Sequence, residues 1–246
     1  MDAQVIVTGM VLSTMPIGDY DKRLVILTKE RGKITAFAKG ARKQNSALLA
    51  CSQPFSFGEF TLYESRTSYR IFNANIQNYF AELREEISSV YYGLYFCELT
   101  DYFTHENVNE TEILKLLYQS FRALGKKTID PKLIRYIFEL KIISLNGEAP
   151  QVFECLKCGK IEDTILFSSS LGGVVCRECT KQISDGIRVN TSTIYTMQYI
   201  IATEVEKLYT FTVSEGVLYE LKRCMDSYRR TYMEREMKSL ELLDIL

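Results

Sequence analysis

The chain has 246 residues, 46% of them hydrophobic and 25% charged, with a formal net charge of −1, the balance of an ordinary globular protein with length for two domains or one large core. No apolar run approaches the ~20 residues a membrane-spanning helix needs, and MDAQVIVTGMVLS lacks the basic start and continuous apolar block of a secretion signal. A cytoplasmic protein with no membrane partner is therefore expected, in which Cys51, Cys97 and Cys224 are buried free thiols and paired cysteines serve metal or redox chemistry rather than disulfides.

The first 80 residues have the period of strands. In AQVIVTGMVL the residues Ala3, Val5, Val7, Gly9 and Val11 fall on one side of a half-buried strand. LVILT and ITAFAKG, joined by KERGK, form a predicted hairpin. PFSFGEFTLYE changes parity at Gly58-Glu59, which predicts a β-bulge there, and SYRIFNANI supplies a fifth strand. Between the third and fourth strands lies the basic loop GARKQNSALLACSQ, with one short helix around residues 46–51. Five short strands with a helical insertion in this place match an OB-fold barrel.

The same segment is electropositive. Residues 1–80 carry ten Lys/Arg against six Asp/Glu, while residues 81–246 carry twenty against twenty-five. Eight cations, Lys22, Arg23, Lys29, Arg31, Lys33, Lys39, Arg42 and Lys43, stand against the single acid Glu30 between residues 22 and 43. Phe37, Tyr63, Tyr69 and Phe72 sit on strands close by, and Arg70 lies between the last two. Single aromatics of this kind ordinarily fill the barrel and single charges are ordinarily solvated, but the cluster as a whole has the two parts of a single-strand binder: cations to follow phosphates and rings to stack bases.

From about residue 80 the period becomes helical. Leu83, Ile87, Val90, Leu94, Cys97 and Tyr102 mark a first seam. A second helix is predicted from Asn109, with Glu112 at the capping-box position and Ile113, Leu117, Phe121 and Leu124 beneath. Asp130 caps a third, with Pro131 at its first position and Gly147 at its end. Further helices are predicted over 194–208 and from 214 to about 240, the last with Leu218, Leu221, Met225, Tyr228 and Tyr232 as its seam.

The helical part is interrupted by FECLKCGKIEDTILFSSSLGGVVCRECTK. Cys155, Cys158, Cys176 and Cys179 have the spacing of a four-cysteine zinc site, two tight knuckles supplying one metal. Four thiolates close the tetrahedron and leave no position for water, so one structural zinc is expected. Four acids balance four cations between Glu154 and Lys181, which favours a clasp over a DNA-reading finger. The one histidine, His105, is expected at the surface. No phosphate-binding P-loop, no serine triad and no dense acidic cluster is present, so no enzyme is expected. The fold class is α+β and multidomain: an OB barrel over 1–80, then a helical domain over 81–246 with a zinc ribbon inserted at 153–181.

GDYDKRLVILTKERGKITAFAKGARKQNS, placed between an alternating strand and PFSFGEFTLY, resembles the N-terminal signature of the RecO family of bacterial DNA repair proteins, and the helical remainder with its two Cys-x-x-Cys pairs resembles that family's C-terminal domain. The resemblance implies a recombination mediator of the RecF pathway that binds single- and double-stranded DNA and anneals complementary strands. It further implies association with RecR and single-stranded-DNA-binding protein, help in loading RecA, and residence at the nucleoid. By it, Lys39, Arg42 and Lys43 of AKGARK would contact DNA. Two other readings of the residues stay open: a protein-binding adaptor, or an RNA-binding factor of translation or RNA processing.

Overall fold

The computed structural model describes residues 3–66 and 68–243. Five strands, β1 (Ala3–Ile17), β2 (Asp21–Thr28), β3 (Gly32–Ala38), β4 (Phe57–Glu64) and β5 (Tyr69–Asn78), close into a barrel in the order β1-β2-β3-β5-β4, with the short helix α1 (Leu48–Cys51) between β3 and β4. All pairings are antiparallel except β3 with β5. This is the OB-fold expected. Alternation builds its core: Val7, Val11, Leu24, Ile26, Ile34, Ala36, Phe60, Leu62 and Ile71 point inward, and the short parallel contact Ala36–Tyr69 and Phe37–Arg70 closes the barrel.

Two details differ from the sequence reading. The parity change in β4 falls between Phe57 and Gly58, with a second shift between Thr61 and Leu62, rather than at Gly58-Glu59. Gly58 is required by closeness, since a Cβ there would come 2.3 Å from the Asn75 carbonyl oxygen. The first strand runs on to Ile17 through a register shift between Val11 and Ser13, and its first predicted inward residue, Ala3, is exposed.

Gly32 opens β3 with φ of +64°, against the segment that carries His105. Lys33 N donates to His105 O (3.0 Å) and Asn107 N to Arg31 O (2.9 Å). An alanine Cβ at residue 32 would lie 2.4 Å from His105 O. Gly32→Ala is therefore expected to destabilise the fold by about 1–3 kcal/mol, read as a lower chemical-denaturation midpoint at unchanged slope.

The chain divides into two compact units, one running to Gly125 and resuming at Met237, the other Lys126–Glu236. In the first, α2 (Ile87–Phe103) and α3 (Thr111–Lys126) follow the barrel. Phe55, Phe80 and Phe121 pack edge to face, with centroids 5.1 Å (Phe55–Phe121) and 5.2 Å (Phe80–Phe121) apart, and Tyr118 lies against Phe57 and Phe80 at 4.7 and 5.2 Å. Among the seam residues predicted for α2, Leu83 precedes the helix in a 3-10 turn and Ile87 is exposed. Cys97 of that seam is buried, but the rest of the buried set is Ser89, Gly93, Tyr95, Phe96, Leu99, Thr100 and Phe103, because a helix that is apolar almost all round gives its sequence no single stripe to follow. At α3, Asn109 Oδ1 accepts from Thr111 N and Oγ1, while Glu112 pairs with Lys115 instead of closing a capping box.

The second unit centres on α4 (Pro131–Leu145), capped by Asp130 as predicted: its side chain accepts from Lys132 N. Every residue from Leu133 to Ile143 is buried, including Arg135, which pairs with Glu139 at 2.8 Å and with Asp226 at 3.4 Å. Lys141 Nζ donates to the carbonyls of Ile201 and Thr203 at 2.8 and 2.7 Å. Ile201 lies in the last turn of α5 (Thr191–Ala202) and Thr203 is its C-cap, where the chain turns extended, so the predicted helix over 194–208 stops early and only a 3-10 turn, Val205–Lys207, follows.

The helix predicted from 214 is likewise two. Ser214 caps α6 (Glu215–Tyr232), whose buried side includes Leu221, Met225 and Tyr228 of the predicted seam and adds Val217 and Cys224. Met233 is extended, and α7 (Lys238–Leu243) starts anew in the first unit, where the Glu98 carboxylate accepts from Lys238 N (3.2 Å), Ser239 N (2.9 Å) and Ser239 Oγ. No helix among the described residues is long and apolar enough to cross a membrane.

Candidate nucleic-acid interface and candidate metal centre

The barrel sorts its cations by what stands opposite them. Lys22 begins β2 facing inward and is 9% exposed; its Nζ donates to Ser52 O (3.1 Å) and Ser52 Oγ (3.2 Å), and burial lowers its pKa. Arg31 pairs with Glu64 at 3.3 Å, and Lys33 with Asp101 at 3.1 Å. Arg42 is exposed but works as a loop clamp, its Nη1 donating to Gly18 O at 3.2 Å and its backbone N–H to Tyr20 O at 2.8 Å. Arg23, Lys29, Lys39, Lys43 and Arg70 are exposed.

Tyr69 goes inside. It is 5% exposed and belongs to the barrel core, and burial raises its phenol pKa. The next aromatic along β5, Phe72, falls on the opposite face and is 62% exposed.

Register then brings the outward residues into one line. Arg23 on β2 lies opposite Phe37 on β3, Phe37 opposite Arg70 on β5, and Arg70 opposite Tyr63 on β4. Cross-strand partners share a face, so guanidinium and ring alternate across four neighbouring strands, roughly 14 Å at ~4.8 Å per step. Arg70 stacks on Tyr63, its guanidinium carbon 5.2 Å from the ring centroid, and Phe72 meets Tyr63 edge to face at 5.5 Å. Cations of this sort follow phosphates, and half-exposed rings take bases of any identity.

The cysteines converge in the second unit. The hairpin β6 (Thr164–Ser168) and β7 (Gly173–Cys176), flanked by β8 (Ile187–Arg188), carries the second pair at its end. The first pair is a knuckle tied by Gly159 N to Cys155 O and by Cys155 N to Lys160 O, both 2.8 Å. All four sulfurs lie within 4.8 Å of one another, and Cys158 Sγ to Cys176 Sγ is 3.7 Å. A tetrahedral zinc with ~2.3 Å bonds to sulfur separates its ligands by about 3.8 Å, so the set fits one metal ion.

Burial works against ionisation of the Cys155 thiol, but N–H groups aimed at its sulfur, with Cys176 N at 3.3 Å, outweigh it and bring the pKa down to about 6. Two of the surrounding cations are paired with acids of the same segment: Lys160 with Glu178 at 3.3 Å and Arg177 with Asp163 at 3.1 Å. His105, an exposed residue, stands outside this cluster.

The chain matches two family models, described as Recombination protein O N terminal over residues 1–80 and Recombination protein O C terminal over residues 84–241. It is 33% identical over 236 residues to the DNA repair protein RecO of Alkaliphilus metalliredigens, covering 95% of this chain and 96% of that one. The RecO proteins of Caldicellulosiruptor saccharolyticus and Symbiobacterium thermophilum are 31% and 30% identical, across 97% and 98% of this chain and 97% and 96% of theirs.

Proposed function

The chain belongs to the RecO family of DNA repair proteins, and on that premise we propose that it is a recombination mediator which holds single- and double-stranded DNA on the outer face of its barrel and promotes annealing of complementary strands. The observation that carries the reading is the row Arg23, Phe37, Arg70 and Tyr63, with Lys39 and Lys43 beyond its β2–β3 end. A surface that grips backbone and stacks bases without reading their edges leaves sequence to base pairing itself. No nucleotide hydrolysis is required, and the protein acts as a scaffold and not as an enzyme.

In this reading residues 1–80 meet the DNA and residues 81–246 support them, with the 153–181 insertion holding one zinc through Cys155, Cys158, Cys176 and Cys179. The metal supplies a closed, inert crosslink between two knuckles. RecR and single-stranded-DNA-binding protein are the partners through which RecA would be loaded, at the nucleoid in the cytoplasm.

A salt titration of affinity for single-stranded DNA, duplex DNA and RNA of equal length tests this. Log affinity is expected to fall against log salt with a slope of about −0.7 for each phosphate contact on a single strand and about −0.9 on a duplex. Affinity that ignores salt would point to a protein-binding adaptor, and a consistent preference for RNA to an RNA factor.

A further inference from the structure

We propose that the cleft between the β1–β2 turn and the β3–α1 loop takes one nucleotide of a single strand, its base stacked on Tyr20 and its phosphate between Lys39 and Lys43. This rests on the DNA-binding reading above and adds a residue and a pocket to it. The cleft has a volume of about 480 Å³ and is walled by Tyr20, Lys39, Lys43, Asn45 and Ser46, within the size range of small-ligand sites.

Its two loops are fastened to each other before anything binds. Asp21 Oδ1 accepts from Gly40 N at 2.7 Å and Tyr20 O accepts from Arg42 N at 2.8 Å, while Lys43 N donates to Gly40 O at 3.0 Å and closes a turn within the β3–α1 loop. The one carboxylate at the rim is thereby engaged with backbone, and the remaining charges are ammonium groups. A preformed cleft spares a ligand the entropy of ordering loops.

Tyr20 is 54% exposed although it stands in a turn where its ring supports no core. Lys43 Nζ lies over the ring, 5.4 Å from its centroid, so a base takes that face by displacing the ammonium, which then pairs with the phosphate of the same nucleotide. A bare anion would make no use of the ring, whereas a nucleotide uses ring and cations together. The pairing Lys22 with Ala38 places the cleft just beyond the Arg23–Phe37 pair, so a strand lying along the row of arginines and rings continues into it.

The test compares full-length wild type, Tyr20→Leu and Tyr20→Phe for binding of oligothymidylate and of an abasic oligonucleotide of equal length, by fluorescence anisotropy across a salt series. Tyr20→Leu is expected to weaken oligothymidylate about tenfold, the scale of one base–aromatic stack, while leaving abasic binding and salt slope unchanged, and Tyr20→Phe to behave as wild type. Unchanged oligothymidylate affinity in Tyr20→Leu overturns the pocket while leaving DNA binding intact. An equal loss on the abasic strand also overturns it, because Tyr20 then shapes the loops instead of meeting a base. A wild type without salt-dependent binding to either strand removes the DNA reading itself, and the pocket with it.

Discussion

Replacing Cys155 by serine is expected to empty the four-cysteine cluster and to lower the stability of the second unit by at least about 3 kcal/mol, a drop of roughly 10 °C in thermal midpoint for a chain of this size. Cys155 is 2% exposed and sits where the first knuckle meets β7, its sulfur accepting from Cys176 N. The small core around it is Leu166, Val175 and Cys176, with Cys179 and Ile183 alongside. Phe167 and Val174 of the same sheet are also buried, with Phe167 5.8 Å from Tyr228, but the cluster that holds the cysteines has little apolar surface of its own; a metal bound only by the folded arrangement contributes its binding free energy to folding. Metal analysis should find one zinc in wild type and none in the variant, and a chelator should reproduce the loss. The folded variant should keep its affinity for single strands at low temperature, since Lys160 and Arg177 are spent on Glu178 and Asp163. A variant that melts like wild type but no longer binds DNA would show the ribbon to be a contact surface and not a clasp.

Replacing Lys39, Arg42 and Lys43 together by alanine is expected to weaken binding to single strands by about tenfold or more at low salt and to reduce the salt slope by about 1.4, the sum for two phosphate contacts. The structure assigns the three residues unequal work. Lys39 and Lys43 are exposed at the cleft, whereas Arg42 joins the β1–β2 turn to the β3–α1 loop through Gly18 O and Tyr20 O. The double variant of the two lysines should accordingly account for the change in slope, while Arg42→Ala alone should weaken binding with little change in slope. Thermal stability should hardly move in any of them, because none of these side chains is buried. Unchanged affinity and slope in the triple variant would remove this loop from the DNA surface.

The barrel was legible because its signals are local. Period-2 alternation names Val7 and Val11 as inward residues of β1, and Asp130-Pro131 names the start of α4. Helix ends were less legible because tertiary partners set them. Lys141, from the middle of α4, takes the terminal carbonyls of α5, and Glu98, from α2, opens α7; neither is near its target in sequence. Tyr20 was missed for a related reason. It stands in GDYDKR beside the basic run, but its role depends on a loop twenty residues further on.

Residue spacing along the chain was enough to find the five-stranded barrel and the four cysteines that cluster within reach of one metal ion, since each follows from a few turns or one strand pair. Which charges and rings remain outside depends instead on how the strands and loops come together. Eight cations in twenty-two positions look equivalent as text, yet Lys22, Arg31 and Lys33 meet Ser52, Glu64 and Asp101, while Arg23 and Arg70 line up with Phe37 and Tyr63. A side chain's fate is set by atoms within a few ångströms of it, and in a closed barrel those atoms come from strands far apart in the chain.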